Sequence, residues 1–95
     1  MTVFLDGKEM CSRRGLHDHL KHQLNLPDYY GRNLDALYDC LTERSEPTEL
    51  LLADFACCRE ALEKYADALL STLYHAALHN PQLQIRELPT EAILP

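Results

Sequence analysis

The chain has 95 residues, 46% of them hydrophobic, a size and composition that predict one folded domain over residues 1–95 and exclude a disordered chain. Its formal net charge of −6 at pH 7 argues against a nucleic-acid binder, because contacts to phosphate require clustered lysine and arginine, and it favours a basic partner. The longest apolar stretches have four or five residues, far short of the roughly 20 that cross a bilayer, so we expect no membrane span.

The N-terminal third predicts a strand followed by a helix. Residues 2–5 are a β-prone run, which the turn dipeptide Asp6-Gly7 closes. The helix must end before Pro27, because proline fixes its own φ and restricts the residue before it. Ser12 is the candidate N-cap of this helix, whose apolar stripe recurs every four residues at Leu16, Leu20 and Leu24.

A loop and a second helix follow. Residues 26–31 form the loop, in which Gly31 can take a positive φ that other residues resist. Asn33 is the candidate N-cap of the second helix. The buried face of that helix has the spacing i, i+3, i+4 and i+7, given by Leu34, Leu37, Tyr38 and Leu41.

The second half of the chain begins with a strand and two helices. After Pro47, the apolar run 49–53 lacks alternation, which is typical of a strand that is covered on both faces and parallel to the first. Asp54 is the candidate N-cap of a third helix. A fourth helix runs to the stop signal Asn80-Pro81, and we place the boundary between the two near residues 65–67.

The chain closes with a third strand and a tail. Leu83 and Ile85 alternate with polar residues, so this strand should be half exposed, and residues 89–95 should be frayed. The element order is then β-α-α-β-α-α-β. Strands that are separated by helices are joined by crossovers, so the sequence predicts the α/β class, with a small three-stranded parallel sheet and about four helices packed against it.

Negative charge is concentrated in the middle of the chain. Between residues 28 and 49, six acidic residues oppose two arginines, so this segment carries −4 of the total −6. Asp35 and Asp39 are like-charged neighbours on a face of the second helix that is not its core face. This spacing alone favours an ordinary solvated face. Tyr29 and Tyr30, just before the helix, are candidate interface anchors, one of which we expect in the core.

Residues 26–42, LPDYYGRNLDALYDCLT, closely resemble the signature of the barstar family of intracellular ribonuclease inhibitors, and a looser similarity extends to about Leu88. The resemblance implies a barstar-like fold, no catalytic activity, no cofactor and inhibition of a microbial, barnase-like ribonuclease. A carboxylate matching Asp39 would take the place of a substrate phosphate in the nuclease, and Tyr29 would pack on an active-site imidazole. The implied partner-binding residues are Tyr29, Gly31, Asn33, Asp35, Tyr38, Asp39, Thr42, Glu43, Arg44 and Glu46.

The sequence departs from the family pattern inside this segment and beyond it. Tyr38 stands where the family has a tryptophan, and Arg32 and Arg44 place positive charge beside a surface that should meet a positive enzyme. His75 and His79 stand where the family has acids. These departures imply a different cognate ribonuclease. The expected partner is therefore a basic ribonuclease or nuclease toxin, bound by a chain that is a monomer when free.

The cysteines are expected to be free thiols in the core. Residues 1–6 carry no basic region followed by a long apolar run, so we expect no signal peptide and a cytoplasmic location. The reducing cytosol would keep thiols unpaired. The four positions are Cys11, Cys40, Cys57 and Cys58.

Two alternatives remain open beside a ribonuclease inhibitor. The same acidic surface would suit an immunity protein against another nuclease toxin. From a different class, a histidine- or cysteine-based metal module or a Cys-His nucleophile is conceivable, although neither HExxH nor CxxC is present, so we expect no metal. The histidines that prompt this alternative are His17, His19, His22, His75 and His79.

Overall fold

A computed structural model describes residues 1–88, and the tail expected at 89–95 lies outside the described residues. The predicted element order and the three-stranded parallel sheet with four helices are confirmed. A short 3-10 helix was not predicted. In chain order the elements are β1 (Thr2–Asp6), the 3-10 helix (Gly7–Glu9), α1 (Arg13–Leu24), α2 (Leu34–Thr42), β2 (Thr48–Ala53), α3 (Phe55–Leu62), α4 (Lys64–His79) and β3 (Leu83–Glu87).

The sheet has β2 at its centre, with β1 and β3 parallel to it on either side. Side chains alternate across a strand, so the register places Val3 beside Leu50, and Leu50 beside Ile85, on one face. This face belongs to the core, which α1 and α4 complete by packing on β1 and β3. The helix α2 packs mainly on α4, and α3 packs on α4 and on the 3-10 helix.

The opposite face of the sheet is only partly covered, so the prediction that β2 is buried on both faces is wrong. Phe4 is 54% exposed there, and its neighbour Leu51 is half-buried. Arg86 lies beside Leu51 and pairs with Glu49 at 3.4 Å on this same face. An apolar run therefore need not signal two buried faces, because side chains in flanking strands can shield its outer residues.

Two of the three predicted N-caps are confirmed by hydrogen bonds. The Ser12 hydroxyl accepts from the Gly15 amide at 2.9 Å, and the Asn33 side-chain oxygen accepts from the Ala36 amide at 2.7 Å. Asp54 takes the N-cap position of α3 but makes no capping bond, because its backbone is left-handed with φ 51°. Its carboxylate lies 3.6 Å from the Lys8 ammonium group instead.

The boundary between α3 and α4 lies at Glu63, earlier than the predicted residues 65–67. Glu63 has φ 50° and ψ −115°, a conformation that no helix can continue through. Tyr65 therefore belongs to the first turn of α4, where it reaches the core. No helix within residues 1–88 is long and apolar enough to cross a membrane.

Candidate protein-binding site

Four carboxylates form what we call the acidic face: Asp35, Asp39, Glu43 and Glu46. The first three recur every four residues along α2 and its C-cap, so they lie on one side of the helix, and all four are exposed. Within residues 1–88 none of the four makes an ion pair, although five other aspartates and glutamates do. The acidic face is therefore available to a partner of opposite charge.

The opposite side of α2 anchors the helix in the protein. Leu37 and Leu41 are fully buried, as their spacing predicts. Tyr38 is half-buried, and its ring meets that of His79 edge-on, with ring centroids 6.4 Å apart. Tyr38 therefore borders the acidic face and also packs against the core.

The two tyrosines of the preceding loop have opposite environments, as predicted. Tyr29 is 88% exposed, whereas Tyr30 is 4% exposed. The Tyr30 hydroxyl lies 2.6 Å from Nδ1 of His17 in α1, and Nε2 of His17 lies 2.6 Å from the hydroxyl of Tyr65 in α4. This buried chain of three rings fixes the loop against two helices and leaves Tyr29 projecting outward.

The surroundings of His17 favour a neutral imidazole in this network. Burial lowers the pKa of His17, and the nearby Arg32 guanidinium lowers it further. A neutral imidazole has one donor and one acceptor nitrogen, so one tyrosine hydroxyl donates to His17 and the other accepts from it. Burial also raises the pKa of Tyr30, which keeps its hydroxyl protonated as the network needs.

Acid is expected to destabilise the fold through His17 and His19. The His19 Nε2 atom accepts a hydrogen bond from the Asp6 amide at 2.9 Å, and burial lowers the pKa of His19 too. A lowered folded-state pKa means that the unfolded chain binds more protons below the ordinary value of about 6.5, so stability falls as pH drops from 7 to 5. The slope is at most about 1.4 kcal/mol per pH unit for each such histidine.

Urea unfolding at pH 7, 6 and 5 measures this slope. The variants His17→Gln and His19→Gln should each flatten it, whereas His75→Gln, a change at an exposed position of α4, should leave it as in the wild type. An equally steep slope in the double variant at positions 17 and 19 would contradict the assignment.

The start of α2 differs from the prediction in one respect. Arg32, with φ 52°, takes the positive φ that was expected at Gly31, and no described glycine has a positive φ. The Arg32 Nε atom donates to Asp18 in α1 at 2.8 Å, which holds this turn. Gly31 has a different role, since a Cβ atom there would lie 3.1 Å from the side-chain nitrogen of Asn33, which donates to the Gly31 carbonyl.

The end of α2 is held by side chains that point into the protein. The Arg44 guanidinium donates from Nε to the Thr48 hydroxyl at 2.9 Å and from a terminal nitrogen to the Leu24 carbonyl at 3.1 Å. The Thr42 hydroxyl donates back to the Tyr38 carbonyl at 3.0 Å. The positive charge of Arg44 is thus used within the protein, where it braces α2 against the end of α1 and β2.

Asn80 is a site-positioning residue that the sequence did not reveal as such. It is 4% exposed, and its side-chain nitrogen donates to the carbonyls of Leu41 and Arg44 at 2.8 and 2.9 Å. Its side-chain oxygen accepts from the Gln82 amide at 3.0 Å. A residue predicted only as a helix stop therefore caps α2 from the turn between α4 and β3.

Several predicted binding residues meet at an open cleft of about 350 Å³. The cleft lies between the loop before α2 and the segment after it, with Tyr29 on one side and Glu43 and Glu46 on the other. Gly31, Asn33 and Asp35 lie towards the N-terminal end of α2. The predicted residues thus follow α2 from end to end.

Two of the four thiols lie in surroundings that disfavour the thiolate form. All four cysteines are free, but the expected core placement holds fully only for Cys58, and Cys11 is exposed. Burial raises the pKa of Cys58 to about 11 and also raises that of Cys40, which keeps both as thiols at neutral pH. In the part of the chain that the structure describes, no three side chains of metal-binding type come together.

Comparisons with known proteins identify the family of this chain. Residues 1–87 match the family described as Barstar (barnase inhibitor). The chain is also 44% identical over 75 residues to the proposed ribonuclease inhibitor YrdF of Bacillus subtilis (strain 168), an alignment that covers 78% of this chain and 82% of YrdF. The family match extends from β1 to the end of β3 and includes the whole acidic face. The chain belongs to the barstar family.

Proposed function

We propose that this chain is not an enzyme but an inhibitor that blocks the basic active site of a microbial, barnase-like ribonuclease. The observation that carries the proposal is the acidic face, in which three exposed carboxylates lie on one side of a well-anchored helix and a fourth follows just after it, none of them in an ion pair within residues 1–88. Family membership and the name of the Bacillus subtilis relative support the same function.

The chemistry of RNA cleavage explains why such a face can inhibit. A ribonuclease must hold positive groups around the phosphodiester that it cleaves. Carboxylates that enter this cleft replace the phosphate and form charge-assisted hydrogen bonds with the same groups. The opposite charges of the two proteins also speed their encounter at low salt.

Within the acidic face, Asp39 occupies the central position. Asp35 lies one helical turn before it and Glu43 one turn after it, so a cleft centred on Asp39 also meets its neighbours. Tyr29, with 88% of its surface exposed beside the helix, is placed to stack on an aromatic or imidazole ring of the enzyme. The proposed contact set is Tyr29, Gly31, Asn33, Asp35, Tyr38, Asp39, Thr42, Glu43, Arg44 and Glu46.

The site is held in place before a partner arrives, which limits the entropy lost on binding. The contacts of Asn80 and Arg44 fix the end of α2, and the buried network around His17 fixes the loop before it. We place the free inhibitor in the cytoplasm as a monomer, in keeping with its unpaired thiols.

Titration of the purified chain into a panel of microbial ribonucleases, including barnase and nuclease toxins, tests the proposal. Cleavage of a fluorogenic RNA substrate is the readout. We expect stoichiometric loss of activity for at least one basic enzyme, with weaker inhibition at high salt. Undiminished cleavage by every nuclease in the presence of excess protein would overturn the proposal.

A further inference from the structure

A groove of about 790 Å³ lies at the N-terminal end of α2, directly beside the acidic face. Arg13 and Arg14 line it from α1, Arg32 from the loop before α2, and Tyr65 from α4. Asp35, the first carboxylate of the acidic face, also borders it. We call this site the arginine groove, defined by Arg13, Arg14 and Arg32.

Within residues 1–88, two of the three guanidinium groups of the arginine groove pair with the same carboxylate, and the third pairs with none. Asp18 lies 2.8 Å from Arg32 Nε and 3.9 Å from Arg14 Nε. Arg13 has no carboxylate partner among the described residues, and its guanidinium lies 4.1 Å from the centroid of the Tyr65 ring. The groove therefore holds more positive charge than its own acids neutralise, in a protein whose net charge is −6.

The electrostatic environment of His17 agrees with a positive site. Arg32 and Arg13 also add to burial in lowering the pKa of His17, which lines the same groove.

The surroundings select the kind of anion that fits. A nucleic-acid strand bound here would pass the four carboxylates of the acidic face, which repel a polyanion. Among the described acidic residues, a single carboxylate side chain in the groove meets only Asp35 and Asp18, and Asp18 is already paired with Arg32 and Arg14. The entering carboxylate can accept two hydrogen bonds from one guanidinium group. Because the groove lies directly beside the acidic face, a protein docked on that face places the edge of its own binding site over the groove.

We propose that the arginine groove receives a carboxylate side chain from the rim of the partner's basic cleft, and that it thereby selects ribonucleases that carry an acidic residue at that point. This inference rests on the proposed function and adds a specificity determinant to it. The acidic face binds the catalytic cations of the enzyme, and the arginine groove binds an acidic residue at the edge of the enzyme's cleft.

A contact in the groove and the long-range electrostatic attraction between the two proteins predict opposite changes in inhibition when a positive charge is removed. Removing a positive charge from an inhibitor of a basic enzyme strengthens the long-range attraction, so the field alone predicts tighter inhibition. Removing a guanidinium that contacts a partner carboxylate weakens inhibition. The direction in which the inhibition constant changes therefore distinguishes a contact in the groove from an effect of the long-range field.

The variants Arg14→Gln and the double variant Arg13→Gln/Arg14→Gln test this direction. Arg14 has a 92% exposed side chain, so its replacement leaves the core intact, and Arg32 is kept because its bond to Asp18 holds the loop. Arg86→Gln is the matched control, since it makes the same charge change on the outer face of the sheet. We expect the inhibition constant to rise about threefold for the single variant and about tenfold for the double variant. The control should match the wild type or inhibit more tightly.

Each outcome decides the proposal. Neutralising the rim carboxylate of the inhibited enzyme should abolish the difference between wild type and double variant, which supports the groove contact. A double variant that inhibits as well as the wild type or better overturns the groove but leaves the proposed function intact. A fluorescent RNA oligonucleotide that binds the wild type but not the double variant would assign the groove to nucleic acid and overturn it. A wild type that inhibits no nuclease would overturn both proposals.

Discussion

Replacing Asp39 with alanine is expected to raise the inhibition constant for a target ribonuclease by at least about thirtyfold, or about 2 kcal/mol. The carboxylate is exposed on α2 and makes no ion pair within residues 1–88, so its removal costs little in the free protein. In the proposed complex, the same change would leave cations of the enzyme buried without a counter-charge, and we expect this penalty to dominate the loss of binding free energy. Titration of inhibitor into enzyme with RNA cleavage as readout gives both constants.

Glu60→Ala serves as the control for the Asp39 variant. Glu60 is an exposed residue of α3, so the substitution removes the same charge away from the acidic face. It should lower the association rate slightly and leave the dissociation rate unchanged, whereas Asp39→Ala should raise the dissociation rate. Equal inhibition by wild type and Asp39→Ala, with unfolding curves that coincide, would remove Asp39 from the proposed contact.

Local chemistry predicted most of the fold. Ser12 and Asn33 are recognisable from sequence because a helix N-terminus needs a side-chain acceptor there, and both supply it. Asp54 is the same kind of residue at the same kind of position, but its left-handed backbone turns the carboxylate away from the helix. The sign of φ at Asp54 and at Glu63 depends on how the flanking elements pack, which no local pattern encodes.

The spacing of Asp35 and Asp39 put both carboxylates on one helix face but by itself favoured an ordinary solvated surface, and only the resemblance to the barstar family singled them out. The contacts that hold this face in place were not visible in the sequence. From the sequence, Arg44 is an unfavourable positive charge at the predicted interface. In the structure, its hydrogen bonds to Leu24 and Thr48 show that it stabilises the end of α2 instead. The network of His17, Tyr30 and Tyr65 joins side chains that are far apart in the chain. Such contacts depend on tertiary packing and can be identified only when the positions of α1, α2 and α4 are known.

Among the residues that hold the acidic face in place through tertiary contacts, Asn80 is the one on which the stability of the fold should depend most. The variant Asn80→Ala removes three hydrogen bonds at a buried position, which leaves the Arg44 carbonyl without the Asn80 donor and the Leu41 carbonyl with only a 3.3 Å bond from the Arg44 amide. Because each buried polar group left unpaired costs about 1–3 kcal/mol, we expect the free energy of unfolding to fall by about 3 kcal/mol. Asn80→Asp should cost more, since it sets a carboxylate against the same two carbonyl oxygens.

The Leu41 carbonyl lies in the last turn of α2 and the Arg44 carbonyl just after its C-cap, so the loss of stability should be greatest locally, at the end of this helix. Amide hydrogen exchange at pH 7 is expected to accelerate more in α2 than in α1, because the last turn of α2 loses its cap while the contacts of α1 stay in place. Gln84→Ala, on the exposed side of β3, should change neither the urea midpoint nor the exchange of α2. A loss of stability in Asn80→Ala that spreads evenly over both helices would show that Asn80 supports the fold as a whole, and that other contacts position the acidic face.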